Sequence, residues 1–140
     1  MWSLALQQAQ GRGAERAADA AYRMMSGVLA FEPFSHFLQR DAEYALRLLM
    51  GRDSLVQTRM ITEVSRELRT LIEQREIATT LPLDDLAFML VRIVESCIYS
   101  DQIAGRAPNP ELARETIRIL LSAMPVSDSV ASPSAKSIGD

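Results

Sequence analysis

Residues 83–104, LDDLAFMLVRIVESCIYSDQIA, decide the fold. On a helix, Leu86, Leu90, Ile93, Val94 and Cys97 form one face, while Phe88, Val91, Ile98 and Tyr99 lie largely on the other. A helix that is apolar on nearly every side has to be covered on nearly every side. Asp84 and Asp85 open it, where negative charge favours a helix N-terminus, and Gly105 stops it. Asp84, Asp85, Arg92 and Glu95 interrupt the apolar run, and nowhere does the chain hold the roughly 18 consecutive apolar residues that a membrane-spanning helix requires. The rest of the sequence has to supply that helix with cover.

Downstream, GRAPNP (105–110) is a turn, and Asn109 and Pro110 suit the cap and first turn of a last helix, Glu111 to Met124. Its Leu112, Ala113, Ile117, Ile119, Leu120, Leu121 and Met124 widen the apolar arc toward the C-terminus. Two such helices strain the covering capacity of a single small domain. The expected solution is a second copy, the helix pairs of two chains packing as a four-helix bundle through Val91, Ile98, Ile117, Leu120, Leu121 and Met124. The alternative is a monomer whose other helices cover both.

Upstream, five further segments read as helical. Trp2 to Ala9 ends at Gly11 and Gly13, and Ala14 to Phe31 carries Ala17, Ala21, Met24, Met25, Val28 and Leu29 until Pro33 stops it. A short piece, Phe34 to Gln39, precedes a helix opened by Asp41 and closed by Gly51. Asp53 or Ser54 then caps the longest, which is predicted to run to about Ala78 with Val56, Met60, Ile61, Val64, Leu68, Leu71 and Ile72 on one face. Residues 79–82 are a linker. The prediction is therefore an all-α bundle of six major helices plus one short helix over residues 1–124, with a disordered Pro/Ser-rich tail at 125–140.

Two features point to binding chemistry. Arg92, Glu95 and Tyr99 share one stripe of the apolar helix at spacings of three and four. A charged pair there is costly unless paired and hydrogen-bonded. It is either a structural ion pair, within the chain or across the dimer seam, or the polar anchor of a pocket, and the sequence does not separate these readings. Methionines spread over several helices, together with the Phe-rich short piece, fit an adaptable cavity as well as a plain core. Phe34, Phe37, Met50, Met60, Met89, Arg92, Glu95 and Tyr99 are the candidate lining of a site for a small, mostly apolar molecule with one polar head.

Composition excludes more than it includes. Arginine supplies 14 of the 15 basic residues, and the net charge of −3 gives no general pull toward nucleic acid. His36 is the only histidine and Cys97 the only cysteine, and no EF-hand, HExxH or CxxC pattern occurs. No nucleophile has a local base. Neither a metal, a cofactor nor catalysis is expected, and Cys97, inside an apolar stretch, is expected to be a buried structural thiol. MWSLALQQAQGRG lacks the basic and apolar regions of a signal peptide, so the expected location is the cytoplasm.

EYALRLLMGRDSLVQTRM (43–60) followed by DLAFMLVRIVESCIYSDQIAGRAPNPELA (85–113) resembles the QsdR-like class of TetR-family C-terminal domains. WSLA at 2–5 is similar to the helix that follows the DNA-binding helix-turn-helix there, so the likeness spans about residues 2–124. The resemblance implies a homodimeric, effector-binding domain of a transcriptional regulator whose DNA-reading domain is absent from this chain. No direct DNA binding is then expected of it. The alternative is an interaction module that heterodimerises with a full-length relative and blocks its DNA binding.

Overall fold

In the computed structural model, which describes residues 2–123, the chain folds into α1 (Trp2–Gln8), α2 (Gly13–Ala30), α3 (Glu32–Arg40), α4 (Ala42–Met50), α5 (Leu55–Glu73), α6 (Leu83–Ile98), α7 (Ser100–Ala104) and α8 (Pro110–Ser122). No strand occurs among the described residues, so the all-α class stands. The tail expected to be disordered and the interface candidate Met124 lie outside the described residues.

The apolar helix α6 is the hub. It packs on α5, α8 and α2, while α2 packs in turn on α1 and α8. Ala17, Ala18, Ala20 and Ala21 are all buried on α2. Side chains that small let a neighbouring helix come close, and α2 and α8 make the most extensive helix pair in the fold. Helices α3 and α4 pack on one another and connect α2 to α5. The core is built from Met24 and Met25 of α2, Val64, Leu68 and Leu71 of α5, Leu86, Leu90, Val91 and Val94 of α6, and Ile117 and Leu121 of α8.

The caps sit where the residue types place them. The Asp41 carboxylate accepts from Tyr44 N at 3.0 Å, the Ser54 hydroxyl from Gln57 N at 3.2 Å, and the Asn109 side chain from Leu112 N at 3.1 Å. Three boundaries differ from expectation. Phe31 is extended and serves as both the end of α2 and the N-cap of α3, so Pro33 starts a helix as well as ending one. Helix α5 stops at Glu73 rather than near Ala78: Arg75 adopts a left-handed conformation, and Glu76 N bonds back to Leu71 O at 2.9 Å, the closure usually made with glycine. The helix expected to reach Ala104 breaks at Tyr99, and the short α7 beyond it buries no residue before Gly105 closes it with a left-handed turn.

One glycine is fixed by close approach. Gly13 has φ of +56°, its N–H donates to Glu76 Oε2 at 3.0 Å, and a Cβ there would stand 2.6 Å from the Glu76 carbonyl oxygen. Gly13→Ala is expected to cost roughly 1–3 kcal/mol in chemical denaturation. Gly27→Ala, on α2 with open space around it, is expected to gain up to about 1 kcal/mol from helix propensity. Equal effects at the two positions would contradict the contact between Gly13 and the end of α5.

Candidate functional site

The buried polar centre of the molecule is built from the end of α4, the start of α5 and one turn of α6. Ser54 caps α5 and also donates to Leu49 O at 2.9 Å, tying the end of α4 to the start of α5. This fixes Gln57 one turn into α5. From there its Nε2 donates to Glu95 Oε1 at 3.0 Å and to Oε2 at 3.3 Å. Arg92 Nη1 donates to Glu95 Oε2 at 2.9 Å, and its guanidinium lies 5.1 Å from the centre of the Phe88 ring. Glu95 is only 5% exposed, and both of its oxygens are engaged. That is the arrangement of a structural anion whose burial is compensated by hydrogen bonds.

Tyr99, one turn further, lies 6.3 Å from Phe34, ring centre to ring centre. Burial, and then the charge of Glu95, push its hydroxyl up to about 12. Cys97 is buried, and burial raises its thiol above the ordinary value although a backbone contact at Asn109 partly offsets this.

The structure divides the eight candidate lining residues instead of gathering them. Glu95 and Tyr99 are buried in the centre just described, the half-buried Phe34 packs against Tyr99, and Arg92 reaches Glu95 from the outer surface. Phe37 turns to Tyr44, edge to face at 6.2 Å, and Met50 packs on the edge of the core. Met60 joins Trp2, Met24, Val64, Leu90 and Ile117 around a void of about 10 Å³ in the middle of the bundle. Met89 points the other way: it is 51% exposed and borders, with Arg92, an outer cleft of about 420 Å³ between α6 and α8. One helix explains the division, because residues on opposite sides of α6 cannot meet in one cavity.

The interface candidates need a similar correction. Val91, Ile98, Ile117 and Leu121 are buried within the protomer and leave no surface for a partner, while Leu120 is half-buried. α2, α5 and α8 cover more of α6 than the sequence alone indicated. What stays open is a stripe of Phe88 (40% exposed) and Met89 on α6, with Leu112 (57%) and Ile119 (55%) on α8. Gln57 and Trp2 lie outside the residues expected from the sequence. Gln57 carried no signal beyond its place after a cap. Trp2 is the only tryptophan in the chain and sits at helical spacing from the buried Ala5 and Leu6.

Two outcomes follow from this geometry. Glu95→Gln places an amide NH₂ among groups that already donate, so the ligand-free protein is expected to lose about 1–3 kcal/mol. An unchanged ligand-free melting point would refute the structural role. Tyr99 binds its proton more tightly folded than unfolded, where its value is about 10. Its contribution to stability is therefore complete below about pH 10 and lost as pH rises through about 12. Urea unfolding of Tyr99→Phe is expected to lack that part of the alkaline decline, and parallel declines in both proteins would contradict it.

Comparisons with known proteins bear on the whole assembly. The family model described as "Tetracyclin repressor-like, C-terminal domain" matches residues 12–122. Among solved structures, the transcriptional repressor QsdR of R. erythropolis, from the TetR family, superposes with a TM-score of 0.79 at 22% sequence identity, over 86% of this chain and 64% of that one. At that identity the likeness is one of fold, and this chain spans just under two-thirds of the length of the QsdR chain. No curated protein matches. With the family model covering most of the described helices, the chain belongs to the tetracyclin repressor-like C-terminal domain family.

Proposed function

We propose that this chain is the effector-binding and dimerisation domain of a TetR-family transcriptional regulator, with operator reading carried by a portion these residues do not include. The observation that carries the proposal is the apolar stripe of Phe88, Met89, Leu112 and Ile119, which no other described helix covers. It lies on the two helices whose pairing in two copies makes a four-helix bundle, and the outer cleft between them would be filled by the partner's side chains. In such a dimer a small, mostly apolar effector acts by favouring one arrangement of the helices over another. No described helix is long and apolar enough to cross a membrane, and a regulator of transcription in a bacterial cell works in the cytoplasm. The same stripe would also fit a longer relative, in which case the chain would act by forming mixed dimers that do not read DNA.

The exposed positions make a clean test, because charging them disturbs no core. Leu112→Glu with Ile119→Glu is expected to yield a folded monomer in sedimentation at micromolar concentration, where the unaltered chain is a dimer of the standard interface size, roughly 1,200–2,000 Å² buried. A dimer that survives the double substitution places the interface elsewhere. An unaltered chain that sediments as a monomer refutes self-association, and mixed dimers with a full-length relative would then favour the second reading.

A further inference from the structure

A cleft of about 490 Å³ lies where the end of α2, α3 and α7 meet the turn at residues 107–108. Part of its lining is apolar: Leu38 and Ile98 are each only 4% exposed, and the half-buried Leu29 stands with them. The rest is polar and able to accept. The Ser35 hydroxyl already donates to Leu29 O at 3.3 Å, so further bonds to it can only be accepted. Asp101 is exposed, and none of the ion pairs among the described residues includes it. No residue bordering the cleft carries a positive charge.

Gln102, half-buried beside Asp101, also borders the cleft, and its Oε1 is buried without a hydrogen-bond partner. An unpaired buried acceptor costs free energy, so nothing on the inner side holds that oxygen in place. The last torsion of a glutamine side chain is soft, and a turn about it carries Oε1 toward the cleft. Trp2 Nε1 is likewise unpaired, but the space beside it is about 10 Å³ with apolar walls, too little for a guest. Of the two orphaned groups, only the Gln102 amide borders room for a ligand.

We infer that the cleft between α3 and α7 is the effector's seat, and that it takes a small organic cation: an ammonium or amidinium head on a compact apolar body. The inference rests on the effector-binding reading above and adds the ligand's charge. The head donates to the Asp101 carboxylate and to Gln102 Oε1, while the body covers Leu29, Leu38 and Ile98. An anionic head would meet like charge at Asp101 and no counter-ion, leaving its desolvation uncompensated. α7 buries no residue of its own, so this wall is free to adjust around a guest. Ala107 borders both this cleft and the outer one between α6 and α8, and Asn109, two residues on, caps α8. A guest that moves the turn therefore bears on the helix that carries Leu112 and Ile119.

Cyclohexylmethylammonium, cyclohexylmethanol and cyclohexanecarboxylate have nearly one shape and differ in the charge of the head. Molecules of this size are expected to bind at about millimolar concentration. The ammonium is expected to bind most tightly and to shift the amide resonances of Ser35, Gln39 and Gln102 more than those of Ser96 and Thr116 in the outer cleft. Asp101→Asn keeps the shape of an exposed side chain and is expected to weaken the ammonium about fivefold, the worth of one partly open ion pair, with the alcohol unchanged. Gln102→Leu removes the orphaned oxygen, so the ligand-free protein is expected to melt no lower than the unaltered one while the ammonium binds more weakly. A lower ligand-free melting point would take Gln102 out of the site. Equal affinity for the three probes, or an Asp101→Asn protein that holds the ammonium as before, overturns the cation assignment. Shifts confined to Ser96 and Thr116 overturn this cleft and leave effector binding standing. Failure of all three probes to bind overturns the site, while the dimer seen in sedimentation tests the regulatory reading independently.

Discussion

Everything in this fold follows from the need to keep α6 dry. Its Leu86, Leu90, Val91 and Val94 are almost wholly buried beneath α2, α5 and α8. Covering apolar area on this scale is the main favourable term in folding, at roughly 25 cal/mol per Å². It also imposes a condition, because Glu95 lies in the same buried surface and has to be satisfied from within it. Gln57 meets that condition from α5, and the serine that caps α5 puts Gln57 in place. The burial of one helix thereby dictates the register of another.

How much of this was legible in the sequence depends on whether a feature is local or tertiary. The caps at Asp41, Ser54 and Asn109 were readable because side chain and backbone lie within three residues of one another. The end of α5 was not, since its left-handed residue is an arginine where a glycine would have announced the turn. The break at Tyr99 had no local marker either. The same distinction governs the site. Periodicity showed that α6 was apolar all round, but which flank is covered from inside the protomer depends on how closely the alanine face of α2 lets α8 approach. That is a three-dimensional quantity, and it moved Val91, Ile98, Ile117 and Leu121 from the expected interface into the core.

The division of the binding candidates has the same origin. Sequence spacing put Arg92, Glu95 and Tyr99 on one stripe, and the structure keeps the Arg92–Glu95 pair and brings Phe34 to Tyr99. It could not reveal that the carboxylate already has a partner 38 residues away on α5. Nor could it mark the Trp2 N–H and the Gln102 Oε1 as groups left over, because an unmet hydrogen bond becomes visible only once every neighbour is known. Family membership narrows the role of the domain.

Asp19 has a consequence of a mechanical kind. Its carboxylate accepts from the backbone N–H of Gln10 at 3.0 Å and from Arg23 at 2.8 Å, and it lies 4.0 Å from Arg114 of α8, whose guanidinium rests 4.7 Å from the centre of the Tyr22 ring. Burial alone would raise this acid, but the bonds from Arg23 and Gln10 and the two arginine charges hold it below the ordinary carboxylate range. One side chain therefore fastens the segment that follows α1 to the helix that carries Leu112 and Ile119. Because the fastening is ionic and partly open to solvent, dissolved salt weakens it while leaving the dry contacts of α6 untouched. The stiffness of the joint between the two ends of the molecule is thus a property of the surrounding electrolyte as well as of the fold.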